Sequence, residues 1–459
     1  MSNRAVTDDG LKEAIKTFVS RMDALAWVVP QAILPLALME GASSFSNAGR
    51  MFHENQEERD AIELSAMIAS GKFAARVLSA ADAVPSAMFT SIVSQFDTLF
   101  SCLCHYAAFH RPHIINKEEF KVQRRSLFSM SSVQELQDHI RTNEVDKILR
   151  SSRMEQIEWL QPVCPKQFDL KELIADWLVD FEEVTERRNI HVHNGGRVSK
   201  QYLDNVSERC ECRVGELDKL AEISPKYLRH AHDVLVQVGL IVAFTVWRSI
   251  SSRDDASVTD RAALSLTYDM FKGGQNDVVA NVLGILTERI MVSADENYWL
   301  KCVVNRLQAL KAAGRTAEYD RVIACKNWET LSTEYQLAYA LLSEDFCKAT
   351  ELAGRCIAYD VVQEIDVLEW PLFSKIKRYP AFVALCIDKF GRSPHDARAR
   401  IREMLIQRDD VNKAMDRLLS FSDHKMVKKV RETLESSSAS EPGKDGESDN
   451  AGCHGLREA

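Results

Sequence analysis

Residues 168–193 read "FDLKELIADWLVDFEEVTERRNIHVH" and are followed by Asn194-Gly195-Gly196. The apolar residues of this stretch recur every three or four positions, which is the spacing of one face of an α-helix. They are Leu170, Leu173, Ile174, Trp177, Leu178, Phe181 and Val184. Asparagine and glycine accept the left-handed backbone that closes a helix. The sequence therefore predicts a long amphipathic helix that ends at His193.

The same spacing recurs elsewhere in the N-terminal half of the chain. It is present in Ser86–Phe109, Val133–Leu160 and Pro225–Ile250. Ser224 precedes the last of these segments as a helix N-cap, and Pro225 suits the first helical position. The chain shows no run of alternating strand residues and no βαβ rhythm, so the predicted fold class is all-α.

Beyond about residue 256 the pattern changes to short helix pairs. Their predicted turns are "KGGQND" (Lys272–Asp277), "AAGRTA" (Ala312–Ala317) and "LSEDF" (Leu342–Phe346). A period of roughly 30 to 40 residues per pair is similar to degenerate tetratricopeptide-like helical hairpins. An irregular helical domain is the alternative, because the pairs share no strict signature.

Composition and charge exclude some function classes. The chain has 459 residues, which favours more than one domain, and a formal net charge of −9. Such a charge argues against a broad surface that binds duplex nucleic acid independently of sequence, since that surface requires many Lys and Arg on one face. It leaves room for a small basic site that handles a single phosphate.

The sequence predicts a cytoplasmic protein that does not cross a membrane. The apolar run Val234–Trp247 is shorter than a bilayer span and reads as a buried helix. We expect Pro30 and Pro35 to break any spanning helix near the N-terminus. The first residues, "MSNRAVTDDGLKEAIKTF", are amphipathic rather than apolar, so we expect no signal peptide. The eleven cysteines are odd in number and scattered, which favours a reducing compartment.

Polar residues capable of acid–base and phosphate chemistry crowd the last turns of the helix that ends at His193. They are Arg187, Arg188, Asn189, His191 and His193. The negative end of the helix dipole favours positive charge there. Asn189 and His193 are four apart and share a face, whereas His191 and His193 are about 200° apart around the helix. Because these two rings cannot converge on one atom, we expect no metal ion here; a metal hydrolase using both histidines is the minor alternative.

The motif Arg188-Asn189-(three residues)-His193 matches the R-x4-6-H signature of HEPN domains, and the chain resembles that family. The resemblance covers about Pro85 to Ser251 and includes "SIVSQFDTLFSCL" (Ser91–Leu103) and "MEQIEWL" (Met154–Leu160). Its most specific part is "ERRNIHVHNGGRVSKQYL" (Glu186–Leu203). An isolated R-x4-H would carry little weight without the asparagine, the Gly-Gly cap and the helical setting.

The resemblance implies a helical bundle that cuts RNA without a metal or other cofactor, at a composite site between two protomers. The 2′-hydroxyl of RNA attacks the adjacent phosphorus, so one group must accept a proton and another must donate one on the opposite side. The resemblance then implies that His193 is the general base or acid, Arg188 the phosphate clamp and Asn189 the orienting residue. Arg187 and His191 are secondary candidates for contacts with the RNA backbone.

The predicted organisation has four parts. Residues 1–84 form an N-terminal helical segment, 85–255 a HEPN-like ribonuclease domain and 256–434 a helical-hairpin domain. Residues 435–459 lack apolar periodicity and are predicted to be a disordered tail. The hairpin domain is expected to bind a protein partner or a trigger.

Two further expectations follow from the family resemblance. Many such ribonucleases act as toxins or antiphage effectors, which gives this chain an expected biological role. Other family members keep the fold only for dimerisation or scaffolding. The alternative is therefore a non-catalytic homodimer that recruits partners through its hairpin domain.

Overall fold

The structure, a computed structural model, describes residues 7–45, 71–115, 130, 132–251, 256–291 and 295–395, with 27–45 and 71–82 described by their backbone alone. The helices of the first part are α1 Asp8–Phe45, α2 Gly71–His110, α3 Val133–Ile148, α4 Arg153–Leu160, α5 Leu170–Leu173, α6 Ala175–His193, α7 Lys200–Asn205 and α8 Pro225–Ile250. They are followed by α9 Ala256–Lys272, α10 Asn276–Ile285, α11 Glu296–Ala312, α12 Thr316–Ala324, α13 Thr333–Leu342, α14 Phe346–Ala358, α15 Glu364–Glu369 and α16 Pro380–Phe390. A π-helical turn, Leu286–Ile290, extends α10. The described residues contain no β-strand, which confirms the all-α fold class.

Helix α8 is the centre of the N-terminal part. Every residue from Val234 to Trp247 is buried, because α1, α2, α6 and α10 all pack against it. Gly239 permits α1 and α2 to pack closely on α8, since a Cβ atom there would lie 3.2 Å from the Phe18 ring and 3.3 Å from Leu99. The predicted start is confirmed: the Ser224 side chain accepts a hydrogen bond from the backbone N–H of Tyr227.

The helix that carries the candidate residues is shorter than the sequence predicts. Its first turn is separate, because Ile174 has φ −108° and ψ 12° and divides α5 from α6. The apolar face of α6 is buried against α2, where the rings of Phe181 and Phe96 lie 5.2 Å apart. The predicted segment Val133–Leu160 is also two helices, since Ser152 caps the start of α4.

Proline does not interrupt the two N-terminal helices. Helix α1 passes through Pro30 and Pro35, so the expectation that these residues break it was wrong. Helix α2 likewise contains Pro85, and the predicted boundary between residues 84 and 85 lies inside this helix.

Two described helices are long and apolar enough to cross a membrane by length and composition. They are the segment Ala83–His110 of α2, whose most apolar window is 50% buried in the protein, and α8, whose window is 83% buried. The second helix is therefore a core helix, as the sequence predicts for Val234–Trp247. The whole helix is nevertheless longer than that apolar run.

The chain divides into two compact units, one up to Leu331 and one from Ser332. In the first unit, α9 pairs with α10 and α11 with α12 across the predicted glycine-containing turns. In the second unit, α13 pairs with α14 across the turn at Leu342–Phe346. That these pairs form one repeat array stays a prediction, and the predicted disordered tail, 435–459, lies outside the described residues.

Candidate functional site

The end of α6 is closed by the Asn-Gly-Gly segment. The backbone N–H groups of Asn194 and Gly196 both donate to the carbonyl of Ile190, at 2.7 and 3.0 Å. Gly195 and Gly196 have φ values of +58° and +76°, which glycine adopts without strain. The chain then pairs with a later loop, because Ala221 donates its N–H to the carbonyl of Gly196.

Arg187 holds α6 to the elements that follow it. Its Nε donates to the carboxylate of Glu183 at 2.7 Å, and Nη1 donates to the carbonyl of Glu222 at 3.1 Å. Nη2 donates to the carbonyl of Cys212. The guanidinium carbon lies 3.9 Å from the centre of the Tyr227 ring. Arg187 is only 4% exposed, so its role is structural.

Glu183 completes this buried network. The side chain has no exposed surface, and it accepts hydrogen bonds from the hydroxyls of Tyr202 and Tyr227, each at 2.7 Å, besides that from Arg187. Burial, followed by the charge of Glu183, raises the pKa of both tyrosines, so both hydroxyls remain donors. The pair of Glu183 and Arg187 is therefore a core ion pair rather than a surface one.

His191 is also held within the protein. Its Nε2 lies 2.7 Å from the carbonyl oxygen of Ala221, and its Nδ1 lies 2.9 Å from Oγ of Ser86. A carbonyl only accepts, so Nε2 carries the proton and Nδ1 of the neutral ring accepts from the serine. Burial lowers the pKa of His191, which favours this neutral form. Gly196 packs on the ring, where a Cβ atom would lie 2.8 Å from Cε1.

These positions bear on the two secondary candidates, Arg187 and His191. Arg187 is buried with all three of its nitrogens hydrogen-bonded, and both ring nitrogens of His191 have protein partners. A contact of either side chain with an RNA backbone stays a prediction. Both fix the end of the helix from which Arg188 and His193 project.

Arg188 faces a different environment from its neighbour. It lines a polar cleft of about 430 Å³ together with Asp97 of α2, Arg150 and Arg153 near the start of α4, and Asn189. We call this the Arg188 cleft. Nη2 of Arg188 lies 4.0 Å from Oδ2 of Asp97, and Nη1 lies 3.4 Å from Oδ1 of Asn189. Its Nε is buried and has no hydrogen-bond partner. Arg188 is thus weakly engaged, with donors to spare for a ligand.

Asn189 and His193 are placed differently from each other. The hydrogen bond described for the Asn189 side chain is with Arg188, so its amide orients the arginine rather than the imidazole. His193 is the last residue of α6 and is exposed. It does not line the Arg188 cleft.

The arrangement within one chain keeps the candidate catalytic groups apart. Five residues along a helix correspond to about 140° of rotation and about 7.5 Å of rise. Arg188 and His193 therefore project in different directions, one into the cleft and the other into solvent. The Arg188 cleft of one chain is therefore lined by the arginine and not by the imidazole.

Several cleft residues escaped the sequence analysis, among them Asp97, Arg150 and Arg153. Asp97 and Arg153 lie 91 and 35 positions before Arg188 in the sequence, and only the tertiary fold brings them to one cleft. A local sequence pattern does indicate the position of Arg153. Ser152 and Glu155 form a reciprocal capping box, and the S-x-x-E pattern places Arg153 at the first position of a helix.

Among the described residues, no group of three or more His, Cys, Asp or Glu side chains lies close enough together to hold a metal ion. Comparison of the chain with protein-family models, with curated proteins and with solved structures gives no match.

Proposed function

We propose that this protein is a metal-independent endoribonuclease whose site is completed by a second copy of the chain. The observation that carries the proposal is the contrast along one helix end. Arg187 and His191 are buried or half-buried and hydrogen-bonded inside the protein, whereas His193 is exposed and Arg188 is weakly engaged. Buried residues fix the end of α6. The guanidinium of Arg188 and the imidazole of His193 are the kinds of group that RNA cleavage requires, for phosphate binding and for proton transfer.

In the proposed reaction, the 2′-hydroxyl of RNA attacks the neighbouring phosphorus and expels the 5′-oxygen. His193 of one protomer accepts the proton of the 2′-hydroxyl, and the partner's copy of this histidine protonates the leaving oxygen. Arg188 holds the charged phosphoryl oxygens through parallel hydrogen bonds, which strengthen as charge develops in the transition state. The products are a 2′,3′-cyclic phosphate and a 5′-hydroxyl.

The geometry of a single α6 supports the proposal of a symmetric dimer. One exposed imidazole cannot lie on both sides of one phosphorus, and the nearest alternative, His191, is engaged elsewhere. A two-fold axis near the end of α6 would supply the second imidazole and bring it opposite the first. We therefore propose a homodimer formed through the N-terminal unit, with a mass twice the 51.9 kDa of one chain.

Cleavage of total RNA in EDTA tests the proposal. We expect wild-type protein to cut RNA in the presence of chelator and both Arg188→Ala and His193→Ala to abolish cutting. Two exposed residues outside the cleft supply matched controls, Arg229→Ala for the arginine and His113→Ala for the histidine, and both should cleave as wild type does. Activity that needs added zinc would contradict the proposal.

The competing function, a non-catalytic dimer that recruits a partner, predicts a different result. Wild-type protein would then sediment as a dimer and leave RNA intact under every trigger tried. A toxin or antiphage role in the cytoplasm is part of the same proposal. It predicts that expression of wild-type protein, but not of His193→Ala, arrests growth of a bacterial host.

A further inference from the structure

We propose that the Arg188 cleft holds two successive phosphates of one single-stranded RNA, with Arg153 binding the phosphate next to the one bound by Arg188. The inference rests on the proposed function, because it takes RNA as the ligand of the cleft. It adds a binding residue that the HEPN-like motif does not contain.

The charges around the cleft favour an anion. Its wall carries three arginines, Arg150, Arg153 and Arg188, and two carboxylates, Asp97 and Glu186. Three positive and two negative groups leave a formal charge of +1. The chain as a whole has a charge of −9, so the cleft is a local positive site on an acidic protein.

Arg153 is held in a defined orientation. Its Nη1 donates to Oε1 of Gln156 at 2.8 Å, and its Nη2 pairs with Oδ1 of Asp97. Its guanidinium carbon lies 5.7 Å from the centre of the Phe96 ring, which is fully buried. Gln156 is itself fixed by hydrogen bonds to two backbone carbonyls. A planar group held on three sides loses little freedom when it binds a ligand on its open side.

Asp97 couples the two arginines. Its Oδ1 pairs with Arg153 and its Oδ2 lies 4.0 Å from Arg188, so one negative charge lies between two positive ones. The carboxylate holds the two guanidinium groups side by side without neutralising both. The excess positive charge favours the binding of a further anion on the solvent-facing side of the cleft.

Exposure shows that this side is open. The side chains of Arg153 and Arg188 are 17% and 28% exposed, and both line the cleft. Arginine presents a fork of N–H donors that matches the oxygens of a phosphodiester. A cleft of about 430 Å³ is large enough for a ligand of nucleotide size. These features together favour a single strand that crosses the cleft.

Binding of a fluorescent, mixed-sequence, single-stranded RNA in EDTA tests the assignment. All proteins carry His193→Ala so that the RNA stays intact, and affinity is measured by anisotropy at several salt concentrations. Arg153→Gln should weaken binding on the order of 10-fold. It should also reduce the slope of log affinity against log salt by about 0.7, the value for one phosphate contact on a single strand. Arg153→Lys keeps the charge and loses the fork, so it should weaken binding and keep the slope.

Arg141 supplies the matched control. Its side chain is 18% exposed, pairs with Asp138 and lies over the Phe109 ring, in the same manner as Arg153 but outside the cleft. Arg141→Gln should leave both affinity and salt slope unchanged. Circular dichroism establishes that each variant is folded. Should Arg153→Gln be unfolded, Arg153→Lys decides the question, and unchanged affinity in that variant overturns the proposal.

A free-phosphate site gives a different outcome. Inorganic phosphate would then bind in an Arg153-dependent manner while RNA affinity stayed the same in Arg153→Gln, and the proposal would fail. A failure of the proposed ribonuclease activity can be distinguished from a failure of this inference. Wild-type cleavage with Arg153-independent RNA binding overturns only this inference, whereas Arg153-dependent binding without wild-type cleavage overturns only the ribonuclease.

Discussion

Substitution of Glu183 by glutamine should destabilise the part of the protein that positions Arg188 and His193. Glu183 has no exposed surface and accepts three hydrogen bonds, from Arg187, Tyr202 and Tyr227. Glutamine has nearly the same shape but no charge, and its amide nitrogen donates where the carboxylate oxygen accepts. The substitution therefore leaves the buried guanidinium of Arg187 without its counter-ion.

The expected cost follows from that burial. Removing one partner of a buried ion pair costs about 3–5 kcal/mol, because the remaining charge is left uncompensated in a medium of low polarity. Arg187 is 4% exposed, so water does not replace the lost carboxylate without opening the helix end. We expect Glu183→Gln to lower the free energy of unfolding by about 3–5 kcal/mol.

Urea denaturation followed by tryptophan fluorescence measures this loss. Glu182→Gln is the matched control, because Glu182 is half-buried on the same helix and should change the free energy by no more than about 0.5 kcal/mol. A double-mutant cycle with Arg187→Met separates the pair from its surroundings. Removing both charges should cost less than the sum of the single substitutions. A loss below about 1 kcal/mol for Glu183→Gln, or strict additivity, would refute the reasoning.

Two further predictions concern the same helix end. Both Gly195→Ala and Gly196→Ala place alanine at positive φ, which costs about 1–2 kcal/mol each. Only at position 196 would the added Cβ atom also contact the His191 ring, at 2.8 Å. Gly196→Ala should therefore be the more destabilising in thermal unfolding, and equal losses would contradict the packing described. Burial lowers the pKa of His191, so the unfolded chain takes up the proton first as pH falls. The neutral ring contributes its full stabilisation above the pKa of histidine in the unfolded chain, about 6.5. This contribution is lost as the pH falls from that value toward the lower pKa of the folded protein. Between about pH 7.5 and about pH 5.5, wild-type protein should lose more unfolding free energy than His191→Asn, and parallel pH profiles would be evidence against a buried neutral ring.

The local architecture was readable from the sequence where neighbouring residues decide it. Helix α8 begins at Pro225 after its Ser224 cap and ends at Ile250, at the predicted positions. Helix α6 ends at His193, where the glycines supply the left-handed backbone. The break at Ile174 was not readable, because the apolar spacing continues through it without interruption.

Proline was misread for a physical reason. A proline inside a helix removes one hydrogen bond and crowds one carbonyl, which is a local cost of about 3 kcal/mol. The packing of a long helix can offset that cost, and α2 contains Pro85 while it packs against α1, α8 and α6. Sequence pattern alone does not include that compensation.

The sequence by itself determined the all-α class, both ends of α8, the end of α6 at His193 and the concentration of arginine and histidine there, because these depend on residues a few positions apart. Only the tertiary structure decided which of two adjacent arginines is buried and which is available. Arg187 and Arg188 are chemically identical, but they lie about 100° apart around the helix. One meets Glu183 and the elements after α6, and the other meets Asp97 and Arg153 from elements before it. Contacts between segments this distant in sequence form only when the helices pack, so no local pattern encodes the difference.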